Sequence, residues 1–410
     1  MNCIAVIILF SIIADFTLHF FSDFLNLKML PVPLPKAFKG LYHTETYNKS
    51  KEYLKTNTLF GWVDSGFDLI LIIFLWFGKF FPMLDQWVRS FNKGGILTGL
   101  CYIGALLLLK YFLTIPFLLY STFVIEEKFG FNKTTLKTFI IDSVKGVVLF
   151  VIIGGVLLAG ILIFFEYAGN RAWWLCWSAT ALFMLLIQFV APTWIMPLFN
   201  KFTPLEEGEL KDAIVSYAES IDFLLENVYV MDGSRRSAKS NAFFTGFGKN
   251  RRIVLFDTLI EKHTVDELVS VLAHEMGHYK KKHIIKMMLF SIAQIGVMFY
   301  LLSLFISNRM LFDAFYMKQQ SVYAGLIFFG MLYSPIGFFT GIFLNMYSRK
   351  NEFEADSFAV KTAKNSDAMA SALKKLSVDN LSNLTPHPFY VFLNYSHPPV
   401  MERIKAMGKL

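Results

Sequence analysis

Residues 272–283 read LAHEMGHYKKKH. His274 and His278 are four residues apart, so on a helix they project from one face, and two imidazole nitrogens can reach a single Zn²⁺. Glu275 is turned about 100° from His274 and can accept a proton from a water beside the ion, the general-base role in peptide hydrolysis. With eight His in 410 residues, composition alone yields a His-Glu-x-x-His in fewer than about one such chain in a hundred. The plainer alternative, a surface helix with two solvated histidines, leaves Gly277 unexplained. A mid-helix glycine costs about 1 kcal/mol relative to alanine, and close packing near a metal accounts for it. The helix also has a start signal. Thr264 with Glu267 three residues on is a capping box, and Leu268, Val271, Leu272 and Met276 supply the apolar face.

Catalytic zinc usually takes three protein ligands, so two histidines leave the site incomplete. The other histidines fit poorly. His19 falls in an apolar stretch, His43 in a distant loop, His263 before the helix, and His283, nine residues after His274, off the ligand face. The segment SRKNEFEADSFAV (348–360) fits better. Glu352 and Asp356 are four apart and share a face, so Glu352 can be the ligand while Asp356 accepts the spare N–H of a ligand histidine. Glu354 points elsewhere. A helix with a merely solvated acidic face is the alternative for this segment.

The elements that must position these residues are largely apolar. The chain is 55% hydrophobic with 45 Phe and only 17% charged, against about 25% charged in soluble domains. Seven stretches approach the length of about 20 residues that crosses a bilayer: Cys3–Phe21, Gly66–Phe81, Gly95–Leu119, Gly146–Phe165, Trp173–Met196, Ile284–Ile306 and Val322–Met346. The first lacks a basic start and a small-residue cleavage site and reads as a retained span. Lys and Arg concentrate in 22–65, 120–145, 197–283 and 347–410; the other three loops hold only Arg89, Lys93, Arg171, Arg309 and Lys318. The basic side is expected to be cytoplasmic, which puts the N-terminus outside and the C-terminus inside. The net charge of +8 is then an orientation signal, and nucleic acid is excluded as a partner. Cys3, Cys101 and Cys176 all fall within spans as packing residues, so no disulfide framework is expected.

Four parts follow. Residues 1–196 carry five spans, 197–283 the motif segment, 284–346 spans six and seven, and 347–410 a segment that completes the metal site. Within the polar part, NVYVMD (227–232) and RRIVLFDTLI (251–260, after the GFGKN turn) read as strands of a small sheet, and helical pattern covers about 206–225 and 265–283. Of the ionisable residues inside spans, Lys286 and Asp68 lie near span ends and can snorkel. Asp15 and Lys110 are deeper and fit either a water-containing wall or an interhelical pair.

The ordered blocks FVIEEKFGFNKTT (123–135), PLFNKFTPLEEGELKDAI (197–214), SNAFFTGFGKNRRIVLFDTL (240–259), VLAHEMGHYKKKH, RKNEFEADSFA and YSHPPVMERI (395–404) span nearly the whole chain. Through them the sequence resembles the integral-membrane zinc metalloproteases that include the type I CAAX prenyl proteases. The resemblance implies a mainly α, polytopic fold. Seven transmembrane helices enclose a chamber, and a cytoplasmic zinc domain with a small β-sheet caps it. It implies one Zn²⁺ on His274, His278 and Glu352, catalysis by Glu275, an oxyanion-stabilising His397 and an Arg403 that pairs with the site's acids. Pro398 and Pro399 suit the first turn of a helix, which leaves His397 at its edge. Asn241 and the backbone around Ala242 would bind substrate as an added strand. The basic SRRSAKS (234–240) just before them is read as a solvated loop.

The function expected is zinc-dependent endoproteolysis of a polypeptide at the cytoplasmic membrane face. The substrate is a prenylated CAAX chain or a membrane-embedded protein under quality control, and the bilayer is the other partner. The compact 410-residue length, without a clear retention signal at AMGKL, leans toward a bacterial inner membrane; in a eukaryote the endoplasmic reticulum takes its place. Two alternatives carry different expectations. A heat-shock HtpX-type protease has fewer spans and lacks the EEKFGFN block. A channel or lipid carrier would be indifferent to loss of Glu275. Site-two-type proteases are excluded because YKKKH is too charged for hydrocarbon.

Overall fold

The computed structural model describes all residues except 224, 226, 246–251 and 409–410. Seven helices are long and apolar enough to cross a membrane: Cys3–Leu27, Thr44–Phe77, Gly95–Glu126, Leu136–Tyr167, Gly169–Leu198, His283–Phe305 and Val322–Ala363. They are spans one to seven. Each satisfies its own backbone polar groups internally, the condition for crossing hydrocarbon. Their outer faces stay apolar and exposed, as at Phe10, Phe74, Val156 and Phe339. A buried aromatic cluster of Trp76, Phe81, Phe312, Phe315 and Phe328 packs one end of the bundle, and Phe315 stacks on Phe328 with ring centres 4.0 Å apart.

Two spans extend well beyond their apolar stretches. The second begins at Thr44, some twenty residues before the stretch expected to cross, and ends at Phe77. Lys79 then takes a left-handed conformation (φ 56°), and a separate helix Phe80–Arg89 follows. The seventh continues without a break from Val322 to Ala363, although Pro335 lies inside it. Apolar content marks only the part in hydrocarbon, whereas a helix continues as long as its hydrogen bonds and side contacts do.

The early start of span two changes the reading of Asp68. It lies well inside the helix, where its carboxylate pairs with Lys110 of span three. Of the two alternatives for Lys110, the interhelical pair is the one observed. Asp15 meets His19 of its own helix at 3.7 Å. All four line a cavity of about 580 Å³ between spans one, two, three and seven, whose other walls are largely apolar. The chamber surface therefore carries paired charges within the bilayer depth.

The polar part holds a four-stranded sheet of β1 (Phe202–Pro204), β2 (Asn227–Met231), β3 (Ala242–Thr245) and β4 (Arg252–Phe256) in the order β1-β2-β4-β3. β2 and β4 are parallel; the other two pairings are antiparallel. The strand expected over 251–260 is shorter. After Phe256 the Asp257 carboxylate accepts from the N–H groups of Thr258 and Ser234, and Asp257–Ile260 turns helical. The GFGKN segment lies outside the described residues. The helix expected over 206–225 spans Glu209–Ser220.

The motif helix runs Val265–Lys280 and starts with the expected capping box: Thr264 Oγ accepts from Glu267 N–H, and Glu267 accepts from Thr264 N–H. Glu267 does more than cap. Its buried carboxylate (4% exposed) also accepts from Ser371 at 2.6 Å and from Lys375 at 2.8 Å, which ties the motif helix to helix Ser366–Asp379. Desolvation raises the pKa of Glu267, but these donors outweigh it and hold the carboxyl below its usual 4.5. A carboxyl depressed in the folded state contributes stability above its unfolded pKa and loses it as pH falls through the folded value. Glu267→Gln is expected to cost about 1.5–3 kcal/mol at neutral pH, the range for hydrogen bonds to a charged group. The Tm difference from wild type, measured in detergent, should shrink as pH falls below about 4.5 and Glu267 takes up its proton.

Candidate metal centre and peptidase active site

Two helices build the centre, and one glycine sets their separation. A Cβ on Gly277 would stand 3.2 Å from the Ala355 carbonyl oxygen and 3.3 Å from its Cα. The missing side chain therefore lets the motif helix lie directly on the extension of span seven. This packing on a neighbouring helix, rather than closeness to the ion itself, is what Gly277 is needed for. The approach brings His274 and His278 against Glu352.

Their ligating atoms form a tight triangle. His274 Nε2 and His278 Nε2 are 3.1 Å apart. Glu352 Oε1 is 3.2 Å from His278 Nε2, and Glu352 Oε2 is 3.4 Å from His274 Nε2. A tetrahedral ion with ligand bonds of about 2.0–2.1 Å demands ligand separations of about 3.3–3.4 Å. Glu352 is buried, and no hydrogen bond reaches its Oε2. A buried carboxylate oxygen left without a donor, facing two imidazole nitrogens, fits a cation between the three. Among the described residues this is the one cluster of metal-type side chains.

The electrostatics agree. Desolvation works against a proton on His274, but the neighbouring Asp356 and Glu352 carboxylates prevail and raise its pKa to about 9. The pocket calls for positive charge at this point, and a metal ion supplies it while displacing the proton. Glu275 is adjacent in sequence and lines the same cleft. Burial pushes its carboxyl up, against the opposing pull of the two histidines, so it is a better proton acceptor than an exposed glutamate.

Asp356 meets His274 Nδ1 at 2.9 Å. It also accepts two bonds from Arg403, at 2.6 Å from Nη2 and 2.8 Å from Nε, and Arg403 Nη1 reaches Glu352 Oε2 at 3.5 Å. His397 presents Nε2 3.5 Å from Glu352 Oε1, while its Nδ1 lies 3.0 Å from Ser396 Oγ. The two prolines after it sit just outside the helix rather than in its first turn: Pro399 is the cap and the helix is Val400–Ala406. Arg349, which sequence reasoning did not single out, holds the His397 segment in place. From one turn before Glu352 it donates to the carbonyls of Val391 and Tyr395.

The cleft has a volume of about 450 Å³, and Asn241, Ala242, His274, Glu275, His278, Glu352, His397 and Arg403 all face it. β3 is the sheet edge on this cleft. Phe256 N–H donates to the Asn241 carbonyl. Alternation along an antiparallel pair then turns the polar groups of Phe243 toward β4 and those of Ala242 and Phe244 outward. Asn241 Oδ1 accepts from Ala242 N–H at 2.9 Å, so the outward groups without a partner among the described residues are the Ala242 carbonyl and the Phe244 amide and carbonyl. His283 and Glu354, both set aside as ligands on sequence grounds, lie against the far side of His278.

Comparison with known proteins accounts for both halves of the chain. A family model described as the CAAX prenyl protease N-terminal region, with five membrane helices, matches residues 23–201, and the model of peptidase family M48 matches 204–410. The chain belongs to peptidase family M48. It is a multi-pass membrane metalloendopeptidase of the CAAX prenyl protease 1 type. The CAAX prenyl protease 1 homolog of Oryza sativa subsp. japonica is 35% identical, over 95% of this chain and 94% of its own length. CAAX prenyl protease 1 of Saccharomyces cerevisiae is 33% identical, over 93% and 89% respectively. The crystal structure of S. mikatae Ste24p superposes with a TM-score of 0.94 at 32% identity, covering 99% of both chains. The match to five N-terminal membrane helices leaves the HtpX-type alternative, with its fewer spans, without better support.

In an M48 peptidase site of this geometry, the Asp356 contact should hold the His274 ring in its ligating orientation. Asp356→Asn is expected to weaken metal binding by about 10–100-fold, read as faster loss of the ion to a competing chelator.

Proposed function

We propose that the protein is a zinc endopeptidase that cleaves lipid-modified polypeptides near their C-termini, at the cytoplasmic face of its membrane. The observation that carries the reading is the His274–His278–Glu352 triangle beside Glu275, open to an edge strand. Two imidazoles and one carboxylate at tetrahedral spacing favour zinc over calcium or magnesium, which prefer more oxygen ligands. Bound there, the ion would polarise the scissile carbonyl and lower the pKa of the attacking water.

The chain's own residues do the rest. The outward carbonyl of Ala242 and the polar groups of Phe244 align the substrate backbone as an added strand. Asn241, by occupying the Ala242 amide, sets where that strand's register begins. Glu275 takes the proton of the attacking water and returns it to the leaving amine. His397, its Nε2 turned toward the centre, donates to the oxyanion as it develops. Asp356 and Arg403 keep His274 and Glu352 oriented, and Arg403 offsets negative charge that the ion alone does not balance.

Support for lipid-modified substrates comes from the relatives, which are CAAX prenyl proteases over nearly their whole length. The largely apolar cavity of about 580 Å³ between spans one, two, three and seven supports the same reading, since a lipid chain would suit such walls. The orientation rests on the concentration of Lys and Arg on the side that bears the site.

Full-length protein purified in detergent should carry about one zinc per chain and cleave a farnesylated CAAX peptide. Glu275→Gln should retain the zinc and lose at least about 10²-fold in turnover. His397→Ala should lose about 10²–10³-fold in kcat with KM little changed. A metal-free wild type, or a fully active Glu275→Gln, would overturn the peptidase mechanism. Equal cleavage of the unprenylated peptide would overturn the substrate reading alone.

A further inference from the structure

The two metal histidines are supported differently on their far sides. His274 turns its Nδ1 to a carboxylate, Asp356. Among the described residues, His278 has no carboxylate there. Its Nδ1 lies 3.1 Å from Nδ1 of a third histidine, His283, whose Nε2 is 3.2 Å from Glu354 Oε2. Lys350 stands 3.9 Å from the other oxygen of Glu354. His283 is almost wholly buried, at 2% exposed.

This contact is unusual for its spacing. On a continuous helix, residues five apart are rotated by about 140° and do not face each other. His283 meets His278 because the helix breaks between them. The motif helix ends at Lys280, Lys282 adopts a left-handed conformation (φ 58°, ψ 32°), and His283 is the first residue of span six. A lysine in this region is disfavoured, and such strain persists where the surroundings over-determine it. The result is a right-side-in turn that places an imidazole behind a metal ligand.

The proton positions close consistently. If His278 Nε2 gives its lone pair to the ion, its proton sits on Nδ1 and is donated to His283. His283 Nδ1 must then be an acceptor, so its own proton is on Nε2 and is donated to Glu354. Every nitrogen in the chain is used once, and the chain ends on an anion.

We propose that His283 and Glu354 are positioning residues for the metal centre: a two-step relay that fixes the tautomer and ring plane of His278 and strengthens it as a ligand. They do for the second histidine what Asp356 does for the first. Neither touches the ion or the substrate. Glu352, Glu354 and Asp356 thereby become one functional set on a single helix, a ligand flanked by the two carboxylates that orient the histidines.

The inference rests on the metallopeptidase reading, and its test separates the two. A cavity of about 390 Å³ borders His278 and His283, so an alanine would admit water to replace the lost acceptor. His283→Leu removes the acceptor and keeps the volume. His283→Asn keeps an acceptor oxygen close to the Nδ1 position. In the full-length protein, zinc release to a chelator should be faster by about 10–100-fold in His283→Leu, with most of the loss recovered in His283→Asn. Glu354→Ala should release zinc faster than wild type and slower than His283→Leu. The visible spectrum of the cobalt-loaded protein should shift in His283→Leu and return toward wild type in His283→Asn. Zinc retention and spectrum unchanged in His283→Leu would overturn the relay, as would an asparagine no better than leucine. Should the leucine variant fail to fold, the Asn and Glu354→Ala variants still decide: wild-type release from Glu354→Ala overturns it. A wild type that binds no metal would instead overturn the reading beneath it.

Discussion

The centre depends on the direct contact of the motif helix with the extension of span seven at Gly277. Side chains at Gly277 and Ala355 are small enough that the two helix backbones nearly touch, and that distance puts a glutamate oxygen within tetrahedral reach of two imidazoles. A methyl group at Gly277 would press on the Phe358 ring at 3.1 Å and on the Ala355 backbone at 3.2 and 3.3 Å, so the neighbouring helix itself would have to give. Interiors packed at crystalline density do not absorb such a shift for free. The ionic contacts among Asp356, Arg403 and Glu352 are arranged around this separation and do not themselves create it.

Charge then explains why the acids are stable where they are. Three carboxylates within five residues of one helix would repel one another strongly if left alone in a buried place. Asp356 is matched by Arg403 and His274, Glu354 by His283 and Lys350, and Glu352 by His274, His278 and Arg403. Most of these partners come from a different element: the motif helix, span six and the C-terminal helix. The centre is therefore a junction, and removing the motif helix or the C-terminal helix leaves the buried charges of Glu352 and Asp356 without partners.

Much of this was legible in the sequence. The His274/His278 pair, the Glu352/Asp356 pair and the Thr264/Glu267 cap all follow from helical spacing, and spacing is a local property. The spans follow from hydropathy for the same reason. What escaped were contacts made by departures from regular geometry. His283 was judged by its angle on an unbroken helix, and the left-handed Lys282 voids that angle. Asp68 was placed at a span end because polar residues before Gly66 hide the helical continuation to Thr44. Arg349 donates to backbone carbonyls far along the chain, and no side-chain pattern announces a carbonyl. The edge strand β3, by contrast, is where the resemblance over SNAFFTGF implies one.

The unbroken helix from Val322 to Ala363 has a mechanical consequence. Ile327 and Met331 line the cavity between the spans, and Glu352 on the same rod belongs to the cluster that could hold a metal ion. From Met331 to Glu352 the rod is about 32 Å long. A lever of that length converts a tilt of about 2° at its inner end into about 1 Å at the ligand, a misplacement of the size that costs catalysis roughly 10²-fold. Helix tilt answers to the thickness of the surrounding hydrocarbon. A change of tilt in the hydrocarbon would therefore be felt at the candidate metal site through the helix alone.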